Sequence, residues 1–150
     1  MNIEILETDI ETVAHMSSLI PEFVGPHPAE EYRRRMNGKT SLLLAAYAGD
    51  EPAGFKVGYD KFGDGSFYSW MGGVLPAYRK HHIAKALAER QETWARQHGF
   101  DSIIFKTRNR HKAMLMFALS NGFSIIEVTP AASLEEYRIM LKKPLLPHEP

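Results

Sequence analysis

Apolar and polar positions change their spacing along the chain, and each change marks a new predicted element. Residues 3–6 alternate between the two types, which predicts a half-buried first strand. Thr8 or Asp9 can cap a first helix, and Pro28 suits the first turn of a second helix. Residues 21–28, between these helices, contain three prolines and a glycine and therefore form a loop.

Three extended runs, separated by glycine-containing turns, predict a meander of antiparallel strands over residues 41–48, 53–61 and 66–75. The paired glycines Gly72 and Gly73 lie inside the third run. They indicate a bulge there, or a place where a ligand or another backbone comes close. Pro76 ends this strand because proline cannot donate to a sheet ladder.

The second half of the chain alternates between helical and extended patterns. It predicts a long helix over residues 82–98, a strand over 102–107, a helix ending near 121, and strands over 123–128 and 134–141. The acid-rich start of the last run also fits a helix. The order β-α-α-β-β-β-α-β-α-β-β predicts an α/β (α+β mixed) single domain, whose central mixed sheet is flanked by helices. The long helix makes a right-handed crossover between parallel strands.

Composition narrows the function mainly by exclusion. A chain of 150 residues suits one domain, which we place at residues 1–142 with a Pro-rich tail at 143–150. The absence of cysteine excludes disulfides, thiolate zinc sites and a cysteine nucleophile. A formal net charge of zero, early acids and no membrane-length apolar stretch predict a cytoplasmic protein that binds neither nucleic acid nor membrane.

Basic residues crowd the start of the long helix. Arg79, Lys80, His81 and His82 precede it, and Lys85 follows one turn later. A helix start exposes N–H groups that have no partner inside the helix, and the helix dipole adds positive potential. This combination predicts an anion site, most naturally for a phosphate or pyrophosphate. We expect no metal site there, because adjacent histidines do not face one point.

The run from Val74 to Ala84, VLPAYRKHHIA, resembles the acyl-CoA signature of the GNAT acyltransferases. That signature has Arg or Gln, two variable residues, Gly, one further residue, and Gly or Ala. Arg79 and Ala84 match its first and last places. His82 stands at the usual Gly, so it must reach the same backbone conformation despite its Cβ or supply imidazolium charge instead. The order of elements also resembles that family up to residue 142.

The resemblance implies an N-acetyltransferase that moves acetyl from acetyl-CoA directly to a primary amine. It implies a pyrophosphate site made by the N–H groups of Lys80, His81, His82, Ile83, Ala84 and Lys85, with charge from the side chains of Arg79 and Lys80. An N–H near Gly73 or Val74 would face the thioester carbonyl, while Val74 and Leu75 would pair with the pantetheine amides in a gap between splayed strands. The acceptor, a small-molecule amine or a protein N-terminal or lysine amine, is left open.

The usual catalytic groups of the family do not carry over. The strand before the signature has no acid, and Ala118 holds the place of the family tyrosine. Tyr68 remains a candidate, as do Glu22 and His27 in the loop that overhangs the substrate side of this fold, acting directly or through water. Each also fits an ordinary wall or surface residue, and a water relay without a base is open. The alternative is a catalytically impaired acyl-CoA-binding or regulatory domain.

Three further features keep two interpretations each. Asn109 resembles the family asparagine that contacts CoA and also fits a plain cap of the following helix. A second basic cluster lies either near the CoA phosphates or on a solvated face: Arg108, Arg110, His111 and Lys112. The aromatic residues Phe23, Phe67, Tyr68 and Trp70 form either a substrate wall or core packing. A homodimer through a strand edge or the C-terminal hairpin is a further expectation.

Overall fold

The computed structural model describes residues 2–145, within which seven strands and four α-helices follow one another in the predicted order. The strands are β1 (Ile3–Glu7), β2 (Ser41–Ala48), β3 (Glu51–Tyr59), β4 (Ser66–Val74), β5 (Ser102–Arg108), β6 (Ser124–Thr129) and β7 (Arg138–Pro144). The helices are α1 (Ile10–Ser18), α2 (Ala29–Met36), α3 (Ile83–Gln97) and α4 (Lys112–Ser120), with 3-10 turns at Pro76–Tyr78 and Leu134–Glu136. In this described part, no helix has the length and apolar composition needed to cross a bilayer.

The strands form one mixed sheet in the order β1-β2-β3-β4-β5-β7-β6. Every neighbouring pair is antiparallel except β4 and β5, which are parallel and are joined by α3. The predicted fold class and crossover are therefore confirmed. The alternation of side chains places α1 and α2 on one face of the sheet and α3 and α4 on the other.

Each face of the sheet buries its own apolar layer. Under α1 and α2, helix residues such as Met16 and Tyr32 pack on Phe55 of β3. Under α3, Leu87 packs with Phe67 and with other strand residues of the opposite face. Burying a large apolar side chain contributes roughly 1.5–3 kcal/mol, so these two layers hold β3 and β4 firmly in place.

The sheet opens between β4 and β5. These strands pair only from Ser66 to Tyr68 and from Ser102 to Ile104, after which each continues without the other. We call the space between residues 69–74 and residues 105–108 the β4–β5 gap. Such a gap between splayed strands is the arrangement that the resemblance implied.

A bulge in β4 lies at the point where the gap begins. Met71 is opposite Val57 and Ser69 is opposite Gly58, so Trp70 is the extra residue. The expectation of a bulge at the paired glycines is wrong, because Gly72 and Gly73 continue the regular register with β3.

Gly58, on the partner strand, makes room for this bulge. A Cβ at Gly58 would lie 2.4 Å from a ring carbon of Phe67 and 2.8 Å from the carbonyl oxygen of Tyr68. It would also lie 2.9 Å from the side-chain amide nitrogen of Gln91, which is buried on α3. The close approach that glycine permits therefore occurs at this position of the neighbouring strand.

The C-terminal part of the domain extends further than the sequence indicated. The predicted strand over 134–141 begins as a 3-10 turn, and β7 continues to Pro144. Leu145 is buried and its N–H donates to the Asp101 carbonyl at 2.8 Å. Residues 143–145 of the predicted tail thus belong to the domain, and residues 146–150 lie outside the described part of the chain.

Strand β6 forms one edge of the sheet and is exposed along its whole length. Ile125, Ile126 and Val128 are each close to half exposed. The expected homodimer stays a prediction, and β6 offers an apolar strand edge for it, while β1 forms the other edge of the sheet.

Gly58→Ala is expected to lower the free energy of unfolding by about 1–3 kcal/mol, since the added Cβ overpacks a rigid backbone contact. Urea unfolding followed by tryptophan fluorescence measures the change. Gly72→Ala is the matched control, because its Cβ would meet no atom closer than 3.4 Å. Equal unfolding free energies for wild type and Gly58→Ala would contradict the close approach described above.

Candidate active site

The exposed edge of β4 carries backbone groups that point into the β4–β5 gap. The Leu75 N–H donates to the Ala53 carbonyl at 2.9 Å, which makes Leu75 and Ala53 a hydrogen-bonded pair. Because hydrogen-bonded and non-hydrogen-bonded pairs alternate in antiparallel sheets, the next residue, Val74, turns its N–H away from β3. The same alternation turns the N–H of Gly72 toward the gap.

Two of the predicted ligand-binding backbone positions are used within the chain. Leu75 donates to β3, and its carbonyl accepts from the Tyr78 N–H at 2.9 Å. By the same alternation, the N–H of Gly73 points toward β3 and pairs with that strand. A Cβ at Gly73 would lie 2.6 Å from Cδ1 of Ile20, so this glycine lets the loop between α1 and α2 pack closely on β4.

The start of α3 forms an open cradle of N–H groups. Residues 79–85 are called the α3 mouth below. In it, Lys80 and His82 have positive φ angles of 68° and 61°. Within residues 2–145, the N–H groups of residues 80–85 have no hydrogen-bond acceptor. Ile83 is buried, and the other five residues are exposed. Successive N–H groups turned to one side by such conformations make an anion-binding concavity.

His82 adopts the left-handed conformation that glycine would adopt at this place. This is the first of the two possibilities that the sequence left open for His82. Ala84 and Lys85 follow in the first turn of α3, where their N–H groups have no intrahelical partner. In the described part of the chain, no three His, Asp or Glu side chains converge in a way that would hold a metal ion.

Arg79 and Glu22 meet at the side of the α3 mouth. The guanidinium donates to both carboxylate oxygens of Glu22, at 2.7 and 2.8 Å, and its Nε donates to the Val74 carbonyl at 3.1 Å. The hydrogen bond from Arg79 lowers the pKa of Glu22 below its usual value. Glu22 is thus a weaker base than an ordinary glutamate, and the charge of Arg79 is largely matched.

On the face covered by α1 and α2, Tyr68 and Trp70 line the gap where it opens. The Trp70 ring lies 5.5 Å from the His27 ring and 4.9 Å from the Tyr32 ring. Tyr68 is buried, and burial raises the pKa of its hydroxyl. At neutral pH Tyr68 is therefore a proton donor and not a base.

The other two aromatic candidates, Phe67 and Phe23, differ in burial. Phe67 is fully buried on the α3 face, and its ring centroid lies 5.0 Å from that of Phe100. Phe23 packs edge-on against Phe55 at 6.2 Å. Phe23 is half-buried, and its ring would lie 3.6 Å from a Cβ at Gly73, so only Phe67 is excluded from a substrate wall.

Basic side chains surround this wall, and the sequence analysis did not single them out. Arg35 lies over the Trp70 ring, with its Cζ 4.6 Å from the ring centroid. Lys61 and Lys106 place their Nζ atoms 4.7 and 6.0 Å from the Tyr68 ring centroid. The signal for Lys106 was present, because it lies two residues beyond Ile104 and alternation puts both on one face.

Asn109 lies at the end of β5 and is held by the chain before β7. Its N–H donates to the Tyr137 carbonyl at 3.0 Å, and its Nδ2 donates to the Leu134 carbonyl at 3.1 Å. His111, and not Asn109, occupies the N-cap position of α4, so the cap interpretation is wrong. Contact between Asn109 and CoA stays a prediction.

The second basic cluster is neutralised by the acids of the 3-10 turn Leu134–Glu136. Arg108 and Arg110 bind Glu136 at 3.0 and 2.7 Å, and Lys112 lies 3.4 Å from Glu135. These pairs join the start of α4 to the chain before β7.

Comparison with known proteins gives the chain its family. Residues 12–123 match the family described as Acetyltransferase (GNAT) family. The chain belongs to this family. No curated protein matches it.

Several solved structures are similar to this GNAT chain. One is the ribosomal-protein-S18-alanine N-acetyltransferase from Escherichia coli, which is 16% identical in sequence and superposes with a TM-score of 0.79. The match covers 96% of this chain and 94% of that chain. A chain of the NatC complex bound to Gag peptide and CoA has 24% identity and a TM-score of 0.80, and the match covers 97% of this chain and 100% of that chain. An aminoglycoside 6'-N-acetyltransferase complexed with coenzyme A has 20% identity, a TM-score of 0.78, and coverage of 98% and 99%. At these identities the likeness shows the fold alone.

Lys56 is a second group that the sequence analysis missed in this GNAT domain. It lies on β3 opposite Gly72, and its Nζ would lie 3.8 Å from a Cβ at that glycine. Burial lowers the pKa of Lys56 to about 8, and the carboxylate of Glu92 opposes this shift only in part. Glu92 itself binds Lys143 at 2.8 Å, so the Lys56 ammonium is incompletely compensated.

Lys56→Met is expected to raise the free energy of unfolding at pH 7 by roughly 1–3 kcal/mol, since it removes a charge that folding desolvates. The pKa of Lys56 is lower in the folded chain, about 8 against the usual 10.5, so the unfolded chain binds more protons between these values. Wild-type stability therefore rises with pH through this window relative to the variant. Urea unfolding at pH 7 and at about pH 9.5 measures the difference.

Lys39→Met is the control for this experiment, because Lys39 is exposed in the turn after α2. It should leave the pH dependence of stability unchanged. A Lys56→Met protein that is less stable than wild type at pH 7 would contradict the uncompensated burial of this ammonium.

Proposed function

We propose that this chain is an acetyl-CoA-dependent N-acetyltransferase that moves the acetyl group directly to a primary amine. The observation that carries the proposal is the α3 mouth, whose unpartnered N–H groups lie beside the open β4–β5 gap. Family membership and fold support it, and two of the similar structures hold CoA. The acceptor amine is taken up in the next subsection.

The α3 mouth would bind the pyrophosphate of acetyl-CoA. The N–H groups of residues 80–85 supply donors, and the cationic side chains at Lys80 and Lys85 add charge. Arg79 has a different part in this proposal, because its guanidinium is bound to Glu22. It holds the loop between α1 and α2 against the end of β4 and so shapes the mouth.

The exposed edge of β4 would hold the thioester arm. The N–H groups of Gly72 and Val74 face the gap, so they can pair with an extended arm as a neighbouring strand does. One of these groups would stabilise the negative charge that develops on the thioester oxygen. A backbone donor of this kind contributes roughly 3 kcal/mol to a transition state.

Proton transfer would use groups on the Trp70 side of the gap. His27 is the better placed of the predicted bases, since its ring lies beside Trp70 while Glu22 is held by Arg79. It would accept the amine proton directly or through water. Tyr68 remains protonated at neutral pH and would act, if at all, as a donor.

Lys80→Glu is expected to weaken acetyl-CoA binding at least tenfold, because it places a carboxylate where the pyrophosphate would bind. Isothermal titration calorimetry with acetyl-CoA measures the dissociation constants. Lys39→Glu makes the same change of charge in the exposed turn after α2 and should bind as wild type does. If wild type shows no binding at millimolar acetyl-CoA, the proposed function is wrong.

His82→Gly is expected to raise the free energy of unfolding by roughly 0.5–1 kcal/mol. It relieves a left-handed residue, a gain of about 1–2 kcal/mol that exceeds the cost of glycine in the unfolded chain. Acetyl-CoA affinity should stay within about threefold of wild type if backbone N–H groups bind the phosphates. His81→Gly, at a position without a positive φ, should give no gain in stability.

A loss of more than about tenfold in affinity on His82→Gly would contradict this view of the α3 mouth. It would mean that the imidazolium charge of His82 holds the phosphates instead. Unfolding free energies and acetyl-CoA dissociation constants are measured on the same protein samples.

A second candidate is an acyl-CoA-binding domain without turnover. The pairing of Glu22 with Arg79, together with Ala118 at the place of the family tyrosine, favours it. The two functions differ in thiol release. Release of CoA above the hydrolysis background, on addition of primary amines, identifies the enzyme, whereas binding without release identifies the second candidate.

A further inference from the structure

The acceptor has only one free approach to the β4–β5 gap if acetyl-CoA binds as proposed. The α3 mouth belongs to the sheet face that α3 and α4 cover, so the phosphates would occupy that side. The amine must then come from the opposite face, which carries Tyr68 and Trp70. The chemistry of that face therefore bears on the acceptor.

Three cations from different elements surround the wall on this face. We call Arg35 of α2, Lys61 of the turn between β3 and β4, and Lys106 of β5 the cationic rim. The Nζ atoms of Lys61 and Lys106 lie over the same two rings, 4.7 and 6.0 Å from the Tyr68 centroid and 5.6 and 5.8 Å from the Phe62 centroid. Two ammonium groups thus share one aromatic floor at the closed end of the gap.

Among residues 2–145, the two lysines of the rim have no paired carboxylate. Arg35 binds Glu31 at 2.8 Å, but neither Lys61 nor Lys106 forms a salt bridge there. The carboxylates of the nearby turn accept hydrogen bonds from neutral groups, Asp60 from the Gly63 N–H and Asp64 from Ser66, and form no salt bridge with either lysine. Lys142 of β7, opposite Ile104, lies on the same face, where its charge is attracted to the carboxylate of Asp64.

Crowding of like charges in the rim adds to the effect of burial on the pKa of Lys61. Burial lowers the pKa of Lys61, and the positive charges of Lys106 and Arg35 lower it further. Attraction to an aromatic face explains one ammonium over Tyr68, but not a second one beside it. A bound anion would remove the repulsion and gain hydrogen bonds from both lysines.

We propose that the acceptor amine carries an anionic group, a carboxylate or a phosphate, which binds between Lys61 and Lys106 while the amine reaches the β4–β5 gap. This inference rests on the proposed function, because it names the substrate class of the same site. Tyr68 lies opposite Tyr59 and Gly72 opposite Lys56, so the two positions are three steps of β3 apart, which is roughly 10 Å along a strand. The amine and the anionic group are therefore several bonds apart, as in an ω-amino acid or a short acidic peptide.

Matched amines that differ in one charge test the inference. The probes are ω-aminohexanoate, ω-aminohexyl phosphate and the neutral ω-aminohexanamide, titrated by calorimetry into protein saturated with CoA. Both charged probes should bind roughly tenfold more tightly than the amide. The preference should decrease as salt is added, because the rim is open to solvent. The carboxylate and phosphate arms show which anion the rim prefers.

Variants at Lys106 test whether the rim causes the preference for the charged probes. Lys106 is exposed, so its replacement should leave the fold intact. Lys106→Gln should reduce the preference for the charged probes several-fold, and Lys106→Glu should abolish it and favour a diamine of the same length. Lys112→Gln is the control, since Lys112 lies at the start of α4 beside Glu135.

The outcomes separate this inference from the proposed function. Equal or undetectable binding of the three probes, with acetyl-CoA binding intact, overturns the anionic acceptor and leaves the acetyltransferase proposal standing. A preference that persists in Lys106→Gln and Lys106→Glu also overturns the assignment to the rim. Failure of the wild-type protein to bind acetyl-CoA instead removes the proposed function, which is measured independently of the probes.

Discussion

The parting of β4 from β5 after only three paired residues is the constraint on which the site depends. Backbone N–H and C=O groups require partners, and in a closed sheet the neighbouring strand supplies them. Here the N–H groups of Gly72 and Val74 face a gap instead. An extended ligand with amide groups can complete the ladder, so the opening makes an edge inside the sheet into a binding surface.

The same parallel pair also determines where the α3 mouth lies. Because α3 connects two parallel strands, it must begin near the end of β4, where the gap is wide, and return to the start of β5. Ile83 is buried in the layer beneath α3, while its neighbours on both sides stay exposed. In the proposed binding mode, this anchored helix start supplies the phosphate donors and the neighbouring open edge of β4 supplies the amide partners.

Local patterns predicted the elements, whereas contacts between distant residues determined the details of the site. The order of strands and helices follows from apolar spacing, which each segment carries by itself. The bulge at Trp70 depends on Gly58 of another strand, and the ion pair of Arg79 with Glu22 joins residues 57 positions apart. The paired glycines marked a close contact, that of Gly73 with Ile20, but not the bulge, because the bulge depends on two strands together.

If the acceptor binds as proposed, the positive charge of the rim offers a physical reason why β4 carries no acid. A cationic environment disfavours the ammonium form of a bound amine and so lowers its pKa. The neutral amine is the form that attacks a thioester, so it needs less help from a carboxylate. On this view the rim of Arg35, Lys61 and Lys106 and the lack of an acid on β4 belong together. A glutamate beside the gap would pair with the rim and would cancel both its attraction for an anionic acceptor and its effect on the amine.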